Sequence, residues 1–240
     1  MTDPETLARA GNDSTTGFPA WPLHQLVCAS TLIVERDRDG RLNFNVETYS
    51  RSMMGERAIV ASVERTIEKA FEVQTFNGAG FDIPVLLNRS AITGEPAPTI
   101  AKLHAQPRFR QGVHVDFLQE MAGYGAAPRF RLADACANFG IPVKIDTSGE
   151  QVADLVERGE WTQIENYCET DVVATWLTGL YWRSAERSSP DLIVEGWNAL
   201  AAWIKSDAMR LAHLSPYASL PPIHRGGSTL GEVDLAELGI

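Results

Sequence analysis

The chain has 240 residues, 44% hydrophobic and 22% charged, a balance that supports a full core and excludes wholesale disorder. Lys and Arg number 21 against 31 Asp and Glu, a formal charge of -10. That excludes a protein that coats nucleic acid through a broad basic face. It leaves room for one that grips a single strand end through bound cations, because such a site is built from carboxylates and the metal reverses the local sign. No apolar run of about 18 residues occurs, so no membrane span is expected. The start, MTDPETLARAG, lacks the basic and apolar segments of a signal peptide. Cys28, Cys136 and Cys168 are far apart in sequence and odd in number, which argues against a disulfide framework or a cysteine-based zinc site. Cys28 and Cys136 read as small buried side chains, and a reducing, cytoplasmic setting fits.

In chain order, residues 1–17 carry closely spaced Gly, Pro, Asn, Asp, Ser and Thr and read as a loosely ordered terminus, with a short helix over 5–10. Phe18 and Trp21 are placed to pin this segment to the core. LVCASTLIVE, 26–35, is β-branched and apolar and predicts a strand. Asp39-Gly40 signals a hairpin turn, and the return strand over 41–49 puts Leu42, Phe44, Val46 and Thr48 on one face. Ile59, Val63, Ile67 and Ala70 recur at helical spacing, predicting a helix over 56–70. A short strand, 71–76, ends at Asn77-Gly78-Ala79-Gly80, and a helix begins near Phe81.

Hairpin, helix, strand, helix is the order of an α/β fold with a mixed sheet and at least one parallel connection. The remainder predicts as mainly helical: 109–122, which contains HVDFLQEM; 130–139, stopped by Gly140 and Pro142; 150–158; 161–182; and 192–214. The last helix carries Trp197, Leu200, Ile204, Ala208 and Leu211 as one stripe. Trp176, Trp182, Trp197 and Trp203 read as core. Residues 215–240 are rich in Pro and Gly at their start and read as loosely ordered. The expected organisation is a single domain over 18–214.

Two places set a carboxylate in an unusual context. In Asn77-Gly78-Ala79-Gly80-Phe81-Asp82 a strand ends, glycines let the backbone turn closely, and Asp82 lands in the first turn of a helix ahead of the apolar run Ile83-Pro84-Val85-Leu86-Leu87. Open sheets place their sites at such strand ends, and a charge beside that run needs a partner or a metal. The alternative is an Asp that only caps the helix. In Tyr167-Cys168-Glu169-Thr170-Asp171, Tyr167 and Asp171 are four apart and share a helix face. Together they could hold a water and a divalent cation. The alternative is a surface pair at the rim of the core.

These motifs resemble a known family. Asn-Gly-x-Gly-Phe-Asp at 77–82 looks like the second motif of the DnaQ-like 3'-5' exonucleases, and Tyr-x-x-x-Asp at 167–171 looks like their third motif in its tyrosine variant. The likeness is closer still to the predicted exonucleases related to the proofreading domain of family B DNA polymerases. FPAWPLHQLVCAS, FDIPVLLNRS, HVDFLQ, LADACANFGIPVK and ENYCETDVVATW add to it, so that it covers about 18–181. The resemblance implies a ribonuclease H-like mixed sheet flanked by helices. It implies hydrolysis of terminal phosphodiesters of single-stranded or frayed DNA at the 3' end, with four carboxylates holding two Mg²⁺ or Mn²⁺ ions. Asp82 and Asp171 match metal ligands of the family, Tyr167 the residue that orients the attacking water, and Asn77 and Phe81 residues that touch the terminal nucleotide.

One departure is large. The family's first motif, Asp-x-Glu at the end of a central strand, has no counterpart here. Asp3 and Glu5 have the right letters, but two residues precede Asp3 and Pro4 would remove a ladder donor from a central strand. They read as part of the loop that follows that motif. Either the chain begins after the strand or the protein has lost it, and the second case predicts a catalytically impaired nucleic-acid-binding or interaction module. A plain α/β domain of unrelated role is the third reading. Among other residues, His24 reads as structural. His114 reads as structural or near the site, Asp116 as a helix cap or a support behind the site, and Lys144 as a phosphate contact or a solvated lysine. Arg89, Arg108, Arg110, Arg129 and Arg131 form a basic group that sequence does not place on one face.

Overall fold

The computed structural model describes residues 2, 4–11, 19–107, 112–142 and 151–219. Asp3, Phe18, Arg108, Arg110, Lys144 and His224 lie outside the described residues. A short helix, α1 (Pro4–Arg9), comes first and buries Leu7. The hairpin follows: β1 (Cys28–Arg36) pairs antiparallel with β2 (Leu42–Ser50), from Cys28 opposite Ser50 to Arg36 opposite Leu42. Its turn is held by the Asp37 carboxylate, which accepts from Asp39 N at 2.9 Å and Arg41 N at 2.8 Å. Gly40 takes the left-handed conformation there, with φ of 82°. Period-two alternation gives the hairpin two apolar faces. Leu32, Phe44 and Val46 join one core, and Ala29 and Tyr49 pack on another.

That second core is built with α2 (Glu56–Glu68), α3 (Asp82–Thr93) and α4 (Pro98–Ala105). Ile59, Val63 and Ile67 supply the predicted stripe of α2. Helix α2 is fixed to α3 by a two-pronged ion pair, in which Arg89 Nε donates to Glu56 Oε1 at 2.7 Å and Arg89 Nη2 to Oε2 at 2.5 Å. From α2 the chain runs into β3 (Val73–Thr75), which pairs in parallel with β4 (His114–Asp116). The helix expected over 109–122 is thus corrected. Its middle is a strand, and only α5 (Phe117–Met121) is helical. Three residues are too few to show a strand period, and Asp116 both ends β4 and caps α5. The outer edge of β4 is blunted by the Gln106 amide, which bonds His114 O at 2.7 Å and His114 N at 3.0 Å as a neighbouring strand would.

The two sheets do not join. A long helix, α8 (Trp161–Glu186), packs on β1, β2 and β3, yet among the described residues no backbone bond links β1 to β3. The expected mixed sheet is therefore corrected to two two-stranded sheets bridged by one helix. The strand that the resemblance places ahead of β1 is not among the described residues. In its stead Trp21–Leu23 forms a 3-10 turn, and Thr2 makes a single bridge to His24. One edge of β1 and one of β3 consequently have no strand partner among those residues.

Helices α6 (Leu132–Phe139), α7 (Val152–Glu157) and α9 (Asp191–Ser206) complete the main body. Helix α8 crosses α5 so closely that a Cβ on Gly179 would fall 2.3 Å from the Phe117 ring. The helix expected over 192–214 ends at Ser206, where Asp207 leaves helical φ/ψ. Ala208 is exposed, and Leu211, Leu214 and Tyr217 return to the core through a 3-10 segment, Ala212–Ala218. Trp197, fully buried, donates from Nε1 to the Tyr217 carbonyl at 3.1 Å. Cys136 is buried as expected, whereas Cys28 is half-buried. Among the described residues no helix is long and apolar enough to cross a membrane.

Candidate strand-end site

The turn that leads from β3 to α3 is shaped by its small residues. A Cβ on Gly78 would fall 2.4 Å from Thr75 Oγ1, and one on Gly80 would fall 2.6 Å from Asn77 Oδ1. Asn77 itself is left-handed, with φ of 66°, a conformation that Asn tolerates better than most residues. The turn is tied to the neighbouring strand by Asp116. This buried carboxylate accepts from Asn77 N at 2.8 Å, Ala79 N at 2.9 Å and Leu118 N at 3.1 Å. Asp116 is therefore both the cap of α5 and the anchor of the turn that carries Asp82. His114, on the same strand, is buried against Thr75 Oγ1 at 2.9 Å. Burial lowers its pKa, opposed by the Asp116 charge.

Asp82 is the first residue of α3 rather than its cap, which is Phe81. Its side chain is exposed, yet protein mass around the carboxyl lifts its pKa to about 6, with the Asp116 charge adding to the rise and its own backbone N–H opposing it. Asp171, half-buried on α8, is also raised to about 6, by desolvation first and by the Asp82 charge second. The Tyr167 hydroxyl donates to Asp171 and opposes that rise. Tyr167 is itself pushed up by burial and by the charges of Asp171 and Asp82. Coulomb repulsion is reciprocal, so the charges of Asp82 and Asp171 act on each other. Residues from two distant segments thus share one electrostatic environment.

The nucleotide contacts implied for Asn77 and Phe81 are partly engaged within the protein. Asn77 Oδ1 accepts from Arg129 Nη2. The Phe81 ring meets His24 edge-on, 5.1 Å between centroids, and His24 is held by the Pro19 carbonyl at 3.0 Å. His24 is accordingly structural. Of the members of the basic group among the described residues, Arg89 is committed to Glu56 and Arg131 to Asp134, and Arg129 sits at the turn.

Sequence reasoning missed a contact between thiols as well. Cys168, next to Tyr167, hydrogen-bonds Cys28 of β1, and that bond with burial holds its pKa well above the usual thiol range. All three cysteines are free. Adjacency to Tyr167 was the available signal for Cys168, and nothing in the sequence paired it with Cys28.

A family model described as a predicted 3'-5' exonuclease related to the exonuclease domain of PolB matches residues 16–218. The chain belongs to this family. No curated protein matches it. Membership assigns a DnaQ-like, ribonuclease H-like domain architecture to the arrangement of helices and split sheets described above. Members of this exonuclease class characteristically use divalent metals, and the donor set here can be compared with that requirement. Carboxylate oxygens are the right donors for Mg²⁺ or Mn²⁺. However, among the described residues no group of three or more His, Cys, Asp or Glu is arranged to hold a metal ion. Asp116, the nearest further carboxylate in charge terms, is occupied by backbone N–H groups. The residues described here do not by themselves fit a pair of ions.

Proposed function

We propose that this chain is a strand-end-binding module of the exonuclease family, with the 77–82 turn and the Tyr167/Asp171 face of α8 receiving the 3' end of single-stranded or frayed DNA. What supports this reading is the turn beneath Asp82, held by Asp116 and shaped by Gly78 and Gly80, with the Asp82 charge acting on Asp171 and Tyr167. Carboxyls whose pKa is raised and that have no cationic partner among the described residues are typical of sites kept for a ligand. Asn77 and Phe81 border the same turn and lie where a terminal nucleotide would meet it. Among the described residues the donor set is short of what two ions need, so the proposal is confined to binding.

The second reading is the active 3'-5' exonuclease, with Asp82 and Asp171 as metal ligands and Tyr167 orienting the water. The split sheet favours it, since β1 and β3 each keep an edge at which a strand bearing the first-motif carboxylates could pair. Fluorescence anisotropy with linear single-stranded DNA and with a circular strand of the same sequence tests the main reading. Tighter binding of the linear strand is expected, and equal binding of both would overturn it. Release of mononucleotides with Mn²⁺, lost in Asp171→Asn, would transfer support to the second reading.

A further inference from the structure

We infer that Arg129 is a phosphate-binding residue of the strand-end site, taking the non-bridging oxygens of the 3'-terminal phosphodiester. This rests on the strand-end reading above and names the group on the strand that the turn recognises. The guanidinium lies on the turn itself. Its Nη2 donates to Asn77 Oδ1, and it sits so close over the backbone that a Cβ on Gly80 would fall 3.1 Å from Nη2. The neighbouring residue fixes the backbone beneath it, because the Phe130 ring packs edge-on against Phe76 of the same turn, 5.6 Å between centroids. The arginine is therefore anchored beside Asn77, and its side chain is exposed.

Its charge also has no acidic partner among the described residues, as is true of several other arginines, but Arg129 combines this with its seat on the turn. Arg36, Arg57, Arg89, Arg131, Arg158 and Arg183 all form ion pairs with carboxylates. Arg129, in a chain with ten more acidic than basic residues, forms none among the described residues. A neutral amide oxygen uses one of its five N–H donors and none of its charge. The rest is a planar fork suited to two phosphate oxygens. Asn77 thus acts as a support that aims the guanidinium rather than neutralising it. The guanidinium also sets a positive charge on the turn, in a chain whose net negative charge would otherwise repel the strand.

The test is a binding cycle with the full chain. The probes are a ten-residue oligothymidylate and the same strand with a neutral methylphosphonate at its 3'-terminal linkage, both measured by anisotropy. Arg129→Gln is expected to weaken the normal strand about tenfold, the loss typical of one charge-assisted hydrogen-bonding group. It should also lower the salt slope by about one counterion. The methylphosphonate should cost the unmodified protein the same tenfold and cost Arg129→Gln nothing more. Gly80→Ala should reproduce the loss without a change of charge, by displacing the guanidinium. Additive losses, or a variant that binds the normal strand as tightly as the unmodified protein, would overturn the assignment while leaving the strand-end reading intact. If the unmodified protein binds neither strand, the strand-end reading fails and the phosphate assignment with it. Unaltered thermal unfolding of Arg129→Gln is expected from its exposure and confirms that the comparison is made on folded protein.

Discussion

Asp171→Asn removes one of two carboxylates that repel each other, and its effect on stability depends on pH in a defined direction. Asp171 has its pKa raised to about 6, by burial first and by the Asp82 charge second. The folded chain thus holds this proton more tightly than the unfolded chain does. The stability it contributes is complete below the ordinary carboxylate pKa of about 4 and is lost as pH rises through about 6. A rise from the ordinary value to about 6 corresponds to about 3 kcal/mol at most. The residue is half-buried, and solvent screening brings the expected figure to about 1–2 kcal/mol. At pH 8 the charged wild-type residue carries that penalty and the amide does not. The amide oxygen can still accept from Tyr167, so the hydrogen bond is kept. Urea unfolding in the presence of a chelator should therefore find Asp171→Asn more stable by about 1–2 kcal/mol at pH 8, with the gap closing between pH 6 and pH 4. A variant that is less stable than wild type by the same amount at every pH would refute the reasoning and make Asp171 an ordinary structural residue.

Three further outcomes follow from the same geometry. Asp116→Ala strips acceptors from Asn77 N, Ala79 N and Leu118 N and should lower stability by about 3 kcal/mol, read from urea midpoints; a loss under about 1 kcal/mol would remove it as the anchor of the turn. Gly78→Ala puts a Cβ 2.4 Å from Thr75 Oγ1 and should destabilise by about 1–3 kcal/mol, whereas Gly55→Ala, with nothing within 4 Å, should stay within about 0.5 kcal/mol; equal effects at the two positions would show that the close approach is not limiting. Mg²⁺ titrated against thermal unfolding should show weak, millimolar binding, with stabilisation of about 0.4 kcal/mol where the ion concentration equals Kd; a gain of about 4 kcal/mol at millimolar ion would mean that a complete metal site exists.

The hairpin and α2 were legible because each has a long period and a clear stop: Asp39-Gly40 for the hairpin, and Ile59, Val63 and Ile67 for the helix. Strand β4 was not, because His114, Val115 and Asp116 are too few to alternate. Helix α4 was missed in a segment that opens with Pro98. The end of α9 was overestimated because Ala208 and Leu211 continue the apolar period after Asp207 has left the helix, and Leu211 reaches the core from a different direction. The split of the sheet could not be read at all, since the pattern of a strand shows which faces are apolar and not which edge is paired.

The site divides in the same way. Asp82, Tyr167 and Asp171 are marked by local motifs. The anchoring of Asn77 and Ala79 by Asp116, the seat of Arg129 on Asn77 and the meeting of Cys28 with Cys168 join segments remote in sequence, and no local spacing encodes them. HVDFLQ did signal Asp116 as a helix cap, which it is, but the two bonds back to the 77–79 turn become visible only in three dimensions.

The coupling of Asp82 to Asp171 is the claim from which the rest descends, and carboxyl ¹³C NMR titration measures it directly. In the metal-free protein both side chains should titrate near pH 6, and replacing either by Asn should lower the pKa of the other in part, the share due to desolvation remaining. Two carboxyls that titrate near 4, each indifferent to loss of the other, would contradict it.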